Sequence, residues 1–207
     1  MTAPIAFNAG NFHQLCEELA SKDPSLANVI SQYGYPPMWS RPASFPTLIH
    51  IILEQQVSLA SALAAFNKLS ARLGRITPEG VLALTDDELR ACYFSRQKTK
   101  YTRELANTIV QGKLDIERLP VLPDEEIRAQ LKCIKGIGDW TVDIFLLFAL
   151  QRSDLFPTGD LAMMKAFRKV KNLSNEIGRD EIIRLAEPWR PYRSVGTMIL
   201  WHYYLSE

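Results

Sequence analysis

The chain has 207 residues, enough for one compact domain or two small lobes sharing a core. Its 24 basic residues nearly balance 23 acidic ones, which excludes binding a polyanion through bulk charge; any nucleic-acid contact must come from a local patch and oriented amides. Cys16, Cys92, Cys133 and His13, His50, His202 are scattered without metal-ligand spacing, and no apolar run reaches the ~18 residues a membrane span needs.

Helical periodicity then runs along the chain. Phe12, Leu15, Cys16 and Leu19 mark a first amphipathic helix. A Pro/Tyr/Gly-rich turn at 33–42 follows, and the stretch from Pro36 to Pro46 is the expected hinge between this N-terminal helix and the rest. Leu48–Leu53 opens a strongly apolar helical segment running into Glu54-Gln55-Gln56. Ser58 caps the next helix, whose Leu59, Leu63, Phe66 and Leu69 keep the period. Thr77-Pro78-Glu79 reads as cap, first helical residue and first-turn acid, and Thr85 to Glu88 as a capping box. Further helices are predicted over about 96–111, stopped by Gly112, and about 124–133, opened by Pro123. Others cover the run after Gly138, then about 160–170, 179–187 and 191–205. No alternating strand pattern interrupts them, so the predicted fold class is all-α.

Between two of these helices lies Lys135-Gly136-Ile137-Gly138-Asp139-Trp140-Thr141. Two glycines at this spacing suit a tight turn joining helices and allow close approach of the backbone to a ligand. Amides at the start of the second helix, with the positive end of its dipole, suit an anion such as a phosphate. A carboxylate, Asp160, follows on the short Pro157-Thr158-Gly159 loop. A phosphate grip with a carboxylate nearby suggests chemistry on nucleic acid.

The hairpin, the Pro-Thr-Gly-Asp160 loop, the Glu54-Gln-Gln-Val-Ser58 segment and the late run Glu187-Pro-Trp-Arg-Pro-Tyr-Arg-Ser194 together resemble the helix-hairpin-helix (HhH-GPD) DNA glycosylase superfamily. Within it they resemble the 3-methyladenine DNA glycosylase II branch. The resemblance implies a single domain over 1–207, a two-lobed helical bundle with an active-site cleft between the lobes, and the helix-hairpin-helix at about 124–151. It implies a monofunctional enzyme that flips alkylated purines (3-methyladenine, 7-methylguanine) out of double-stranded DNA and hydrolyses the N-glycosidic bond in base excision repair.

Residue roles follow the same resemblance. Asp160 is the expected catalytic group, stabilising the oxocarbenium-like sugar or orienting water; as a residue type it equally suits a helix N-cap. Asp139 and Asp143 are rivals by proximity, the first facing incoming phosphates, the second on a solvated helix face. Trp140 stands where lyase-active relatives carry a Schiff-base lysine. Trp140 and Trp201 are expected in the base pocket, where aromatic faces attract a cationic alkylpurine; plain core packing is the alternative for Trp140. Ile144 occupies a position where a close relative presents a tyrosine. Gln56 matches the intercalating wedge that fills the gap left by a flipped nucleotide, with an ordinary helix-end role as its alternative. The amides of Gly136, Gly138 and Thr141, with the Thr141 hydroxyl, match phosphate donors. The carbonyls of Lys132, Ile134 and Ile137 match ligands of a monovalent cation. Arg96 and Lys98 belong to the richest basic stretch, either a solvated helix face or a DNA-facing one.

No cofactor is required on this reading, and three scattered cysteines do not suit an iron–sulfur cluster. A separate N-terminal β domain is not expected before the helical core. The expected partner is alkylated duplex DNA, with no membrane, for a monomer of the bacterial cytoplasm or the eukaryotic nucleus. Two other readings compete: a glycosylase for another base lesion, and a non-catalytic helix-hairpin-helix protein that binds damaged DNA.

Overall fold

A computed structural model of the chain describes residues 6–207. Among them the regular structure is helical, with a lone antiparallel bridge between Ala6 and Arg152. The helices are α1 (Phe12–Lys22), α2 (Pro24–Tyr33), α3 (Phe45–Glu54), α4 (Leu59–Leu73), α5 (Pro78–Ala83), α6 (Asp86–Ala91), α7 (Arg96–Val110), α8 (Asp124–Lys132), α9 (Asp139–Ala149), α10 (Leu161–Val170), α11 (Arg179–Leu185) and α12 (Arg193–Ser206). Short 3-10 turns lie at Ile116–Val121 and Glu187–Trp189. The all-α expectation holds.

Local chemistry sets the helix starts. Ser44, Ser58, Thr77 and Ser95 each accept a bond from the backbone three residues on, opening α3, α4, α5 and α7. Thr85 and Glu88 form the reciprocal capping box at α6. Helix α2 was not foreseen. Asp23 caps it, accepting from the Ser25 amide at 3.0 Å, and Pro24 supplies its first residue. Because α1 ends at Lys22, one residue separates the two helices and the boundary is hard to see in the apolar pattern.

The chain forms two compact units. One is Arg41–Phe145, in which α3 is the central element: Leu48, Ile49, Ile51 and Ile52 are fully buried, and α4 and α7 pack on it. A helix apolar on nearly all sides belongs inside.

The other unit joins the chain up to Ser40 with Leu146–Glu207. Here α12 is the buried centre, with α1, α2 and α10 against it. Gly196 of α12 is required: a Cβ there would lie 2.6 Å from the ring of buried Trp189. That indole donates to Asp23 at 2.6 Å, and Lys171 pairs with the same carboxylate. The expected hinge at 36–46 therefore needs correcting. The break between units does fall inside it, at Ser40/Arg41, but the N-terminal helices are not a separate arm; they pack with the C-terminal ones.

Candidate active site and nucleic-acid interface

In the Arg41–Phe145 unit the connection from α8 to α9 is the predicted hairpin. Gly136 has φ +95°, the left-handed region, and a Cβ on it would lie 2.0 Å from the Tyr101 ring of α7. Only glycine fits, for both reasons at once. Ile137 donates its amide to the Ile134 carbonyl at 3.1 Å, closing the turn, and Val142 returns to the Gly138 carbonyl at 3.1 Å as α9 begins. The first amides of α9 thus come directly after Gly138. Two ammonium groups crowd the same corner: Lys135 beside Lys100 pulls the Lys100 pKa below its ordinary value. Like charges side by side favour an anion near them.

Gln55 ties this corner to the end of α3. Its Nε2 donates to the Gly136 carbonyl and to the Thr141 hydroxyl oxygen, both at 2.9 Å. Nothing in a local sequence pattern reveals these partners, 81 and 86 positions away. Thr141 is correspondingly buried, so its hydroxyl serves the hairpin's own bracing instead of the expected phosphate contact. Gln56, immediately after, is exposed with φ +57°, a strained conformation for glutamine that turns the chain sharply before Ser58.

The basic stretch divides. Arg96 is exposed at the start of α7. Lys98 departs from the expected DNA-facing role: its ammonium donates to the Leu53 carbonyl and caps the C-terminal turn of α3. Burial there lowers its pKa. The rival carboxylates are also engaged. Asp139 pairs with Lys132 at 2.6 Å, and Asp143 is half-buried in an ion pair with Arg128 instead of solvated. The carbonyls of Lys132, Ile134 and Ile137 are neutral oxygen donors of the kind a hard cation takes. Of these, the Ile134 carbonyl already accepts the Ile137 amide and keeps its second lone pair.

In the other unit Asp160 is the N-cap of α10, as its residue type suits. Its Oδ1 accepts the Met163 amide at 2.8 Å and the Trp201 indole N–H at 3.1 Å. Two donors aimed at one oxygen fix the direction of the carboxylate. Trp201, on α12, thus contributes a hydrogen-bond donor as well as an aromatic face. Its ring also meets Phe148, with centroids 5.4 Å apart. Phe148 was missed, although Trp140, Ile144 and Phe148 fall at i, i+4 and i+8 on one face of α9. Trp140 is half-buried and Ile144 is buried. Arg190 and Arg193 are held locally: both pair with Asp154 and with Glu187.

Among the described residues no group of three or more His, Cys, Asp or Glu side chains could hold a metal, and no helix is long and apolar enough to cross a membrane.

One unit carries a glycine hairpin with helix-start amides, braced by Gln55 next to the exposed Gln56, and the other carries a carboxylate held by two donors; each is a feature that suits a DNA base excision repair protein. The chain belongs to the HhH-GPD superfamily of base excision DNA repair proteins, whose family model matches residues 49–191. Its relatives narrow the comparison. The DNA-3-methyladenine glycosylase 1 of Schizosaccharomyces pombe is 28% identical over 180 residues, covering 85% of this chain and 79% of that protein. Bacillus subtilis YfjP, which carries the name of a candidate DNA-3-methyladenine glycosylase, is 28% identical over 185 residues; the match covers 86% of this chain and 64% of YfjP. The solved S. pombe 3-methyladenine DNA glycosylase in complex with abasic DNA superposes with a TM-score of 0.84 at 28% identity, covering 91% of this chain and 95% of that one.

Proposed function

We propose that residues 1–207 act as one monofunctional DNA glycosylase domain that excises alkylated purines, 3-methyladenine and 7-methylguanine, from double-stranded DNA. The hairpin amides at Gly136, Gly138 and Thr141 hold the phosphate backbone, with Arg96 adding charge. Gln56 fills the gap left by the flipped nucleotide. The aromatic faces of Trp140 and Trp201, with Ile144, receive the cationic base. Asp160 stabilises positive charge as it develops on the sugar and the base departs; water completes the hydrolysis. The alkylated purine is already a good leaving group, so this set needs no strong acid, no Schiff-base lysine and no cofactor. The carbonyls of Lys132, Ile134 and Ile137 would hold a monovalent cation, which when bound supplies positive charge beside the phosphate. The setting is the compartment that contains the DNA.

The observation that carries this reading is the Asp160 carboxylate, fixed by the Met163 amide and the Trp201 indole. The test is release of methylated bases from alkylated duplex DNA by wild type and Asp160→Asn. The wild type releases both bases, and the variant is slower by about 100-fold or more, the scale of losing one electrostatic stabiliser. Equal rates would overturn the assignment.

A further inference from the structure

The reading above leaves one cavity of the Arg41–Phe145 unit without a task. It has a volume of about 310 Å³, and its lining includes Leu53, Val57, Ala62, Ala65, Tyr93 and Lys98. Tyr93 is an unusual residue for its place. It follows the C-cap of α6 with φ +67°, in the left-handed conformation that ends many helices and that glycine adopts at least cost. A tyrosine there costs about 1 kcal/mol in backbone strain. The ring recovers little by packing, because Tyr93 is 60% exposed. Lys68 holds its ammonium 4.2 Å from the ring centroid, which fixes the ring and places positive charge over one face. A strained, solvent-facing aromatic braced by a lysine is the equipment of a stacking platform.

Its position indicates what stacks. Gln55 reaches to the hairpin, Gln56 turns outward, and Val57 lines the cavity. The proposed wedge therefore stands between the hairpin that grips one strand and the Tyr93 cavity. We propose that Tyr93 and this cavity form a binding site for a nucleobase of the unmodified strand, next to the point where Gln56 enters the duplex. This rests on the excision reading above. The base stacks on the ring face away from Lys68, the apolar lining takes its edge, and Lys68 supplies positive charge that suits a flanking phosphate.

The test uses Tyr93→Gly, which relieves the backbone, and Tyr93→Phe, which keeps the ring. A duplex with an abasic site carries 2-aminopurine in the unmodified strand beside the position facing that site. Wild type and Tyr93→Phe quench the probe on binding. Tyr93→Gly melts no lower than wild type, binds the duplex about 5- to 100-fold more weakly, and leaves the probe unquenched. A Tyr93→Gly protein that binds and quenches like wild type would overturn the site and leave the excision reading intact. Weaker binding with unchanged quenching would equally overturn it. A wild type that neither binds abasic duplex nor releases methylated bases would overturn both.

Discussion

Trp201→Phe isolates the bond that aims the Asp160 carboxylate. The indole N–H donates to Oδ1 at 3.1 Å, while the ring packs on Phe148. Phenylalanine keeps an aromatic face toward Phe148 and removes the donor. A hydrogen bond to an ionised group contributes about 1.5–3 kcal/mol. If that bond is needed to hold the carboxylate against the sugar, the rate falls by about 10- to 150-fold, at roughly 1.4 kcal/mol per decade. The Met163 amide still holds the same oxygen at 2.8 Å, which places the expected loss near the lower end. Single-turnover release of 7-methylguanine from methylated duplex measures it, with binding to undamaged duplex as a control that stays constant. The decisive comparison is the double variant. In an Asp160→Asn background, Trp201→Phe costs little more, because the two act as one unit. A rate within twofold of wild type, or an equal loss in both backgrounds, refutes the reasoning.

Two further outcomes follow from the bracing contacts. Gln55→Leu removes two 2.9 Å bonds and leaves the buried Thr141 hydroxyl without its donor, so unfolding free energy drops by about 2–3 kcal/mol in denaturant titration; a loss below about 0.5 kcal/mol contradicts the brace. For Asp23, burial raises the cost of its charge, but bonds from Lys171, Ser25 and Trp189 outweigh it and hold the carboxyl below its ordinary value. A depressed pKa contributes stability that is present above the ordinary carboxylate range, near pH 4, and is lost as pH falls through the folded value. Asp23→Asn is therefore destabilised at neutral pH by about 1.5–3 kcal/mol and approaches wild type as the solution is acidified below about pH 4. Melting curves across pH that keep a constant gap between the two proteins would contradict this.

What could be read from the sequence was mostly local. Ser58, Thr77 and Thr85 announce helices because a cap and the backbone amide that donates to it lie three residues apart. The Gly136-Ile-Gly138 turn was legible for the same reason, although the Tyr101 ring that forbids a side chain at Gly136 was not. Asp160 was legible as an N-cap, since an aspartate directly before an apolar helical run is favoured there. Tertiary contacts decided the rest. Lys98 looks like a free cation in a basic run, yet folding brings it to a carbonyl 45 positions away. Gln55 looks like its neighbour Gln56, and only the folded chain separates the brace from the exposed residue. The strain at Tyr93 has no mark in composition at all.

The discontinuous unit has a consequence for how the molecule is made. Asp23 and Trp189, which bond to each other, are 166 positions apart, whereas Arg41–Phe145 is an uninterrupted stretch. During synthesis that stretch is complete before α12 has been translated, so it can collapse early, while the N-terminal helices wait for the last turns of the chain. Pulse-labelled amide exchange during refolding reads this order: protection in α3 and α7 precedes protection in α1 and α2, and simultaneous protection would rule it out.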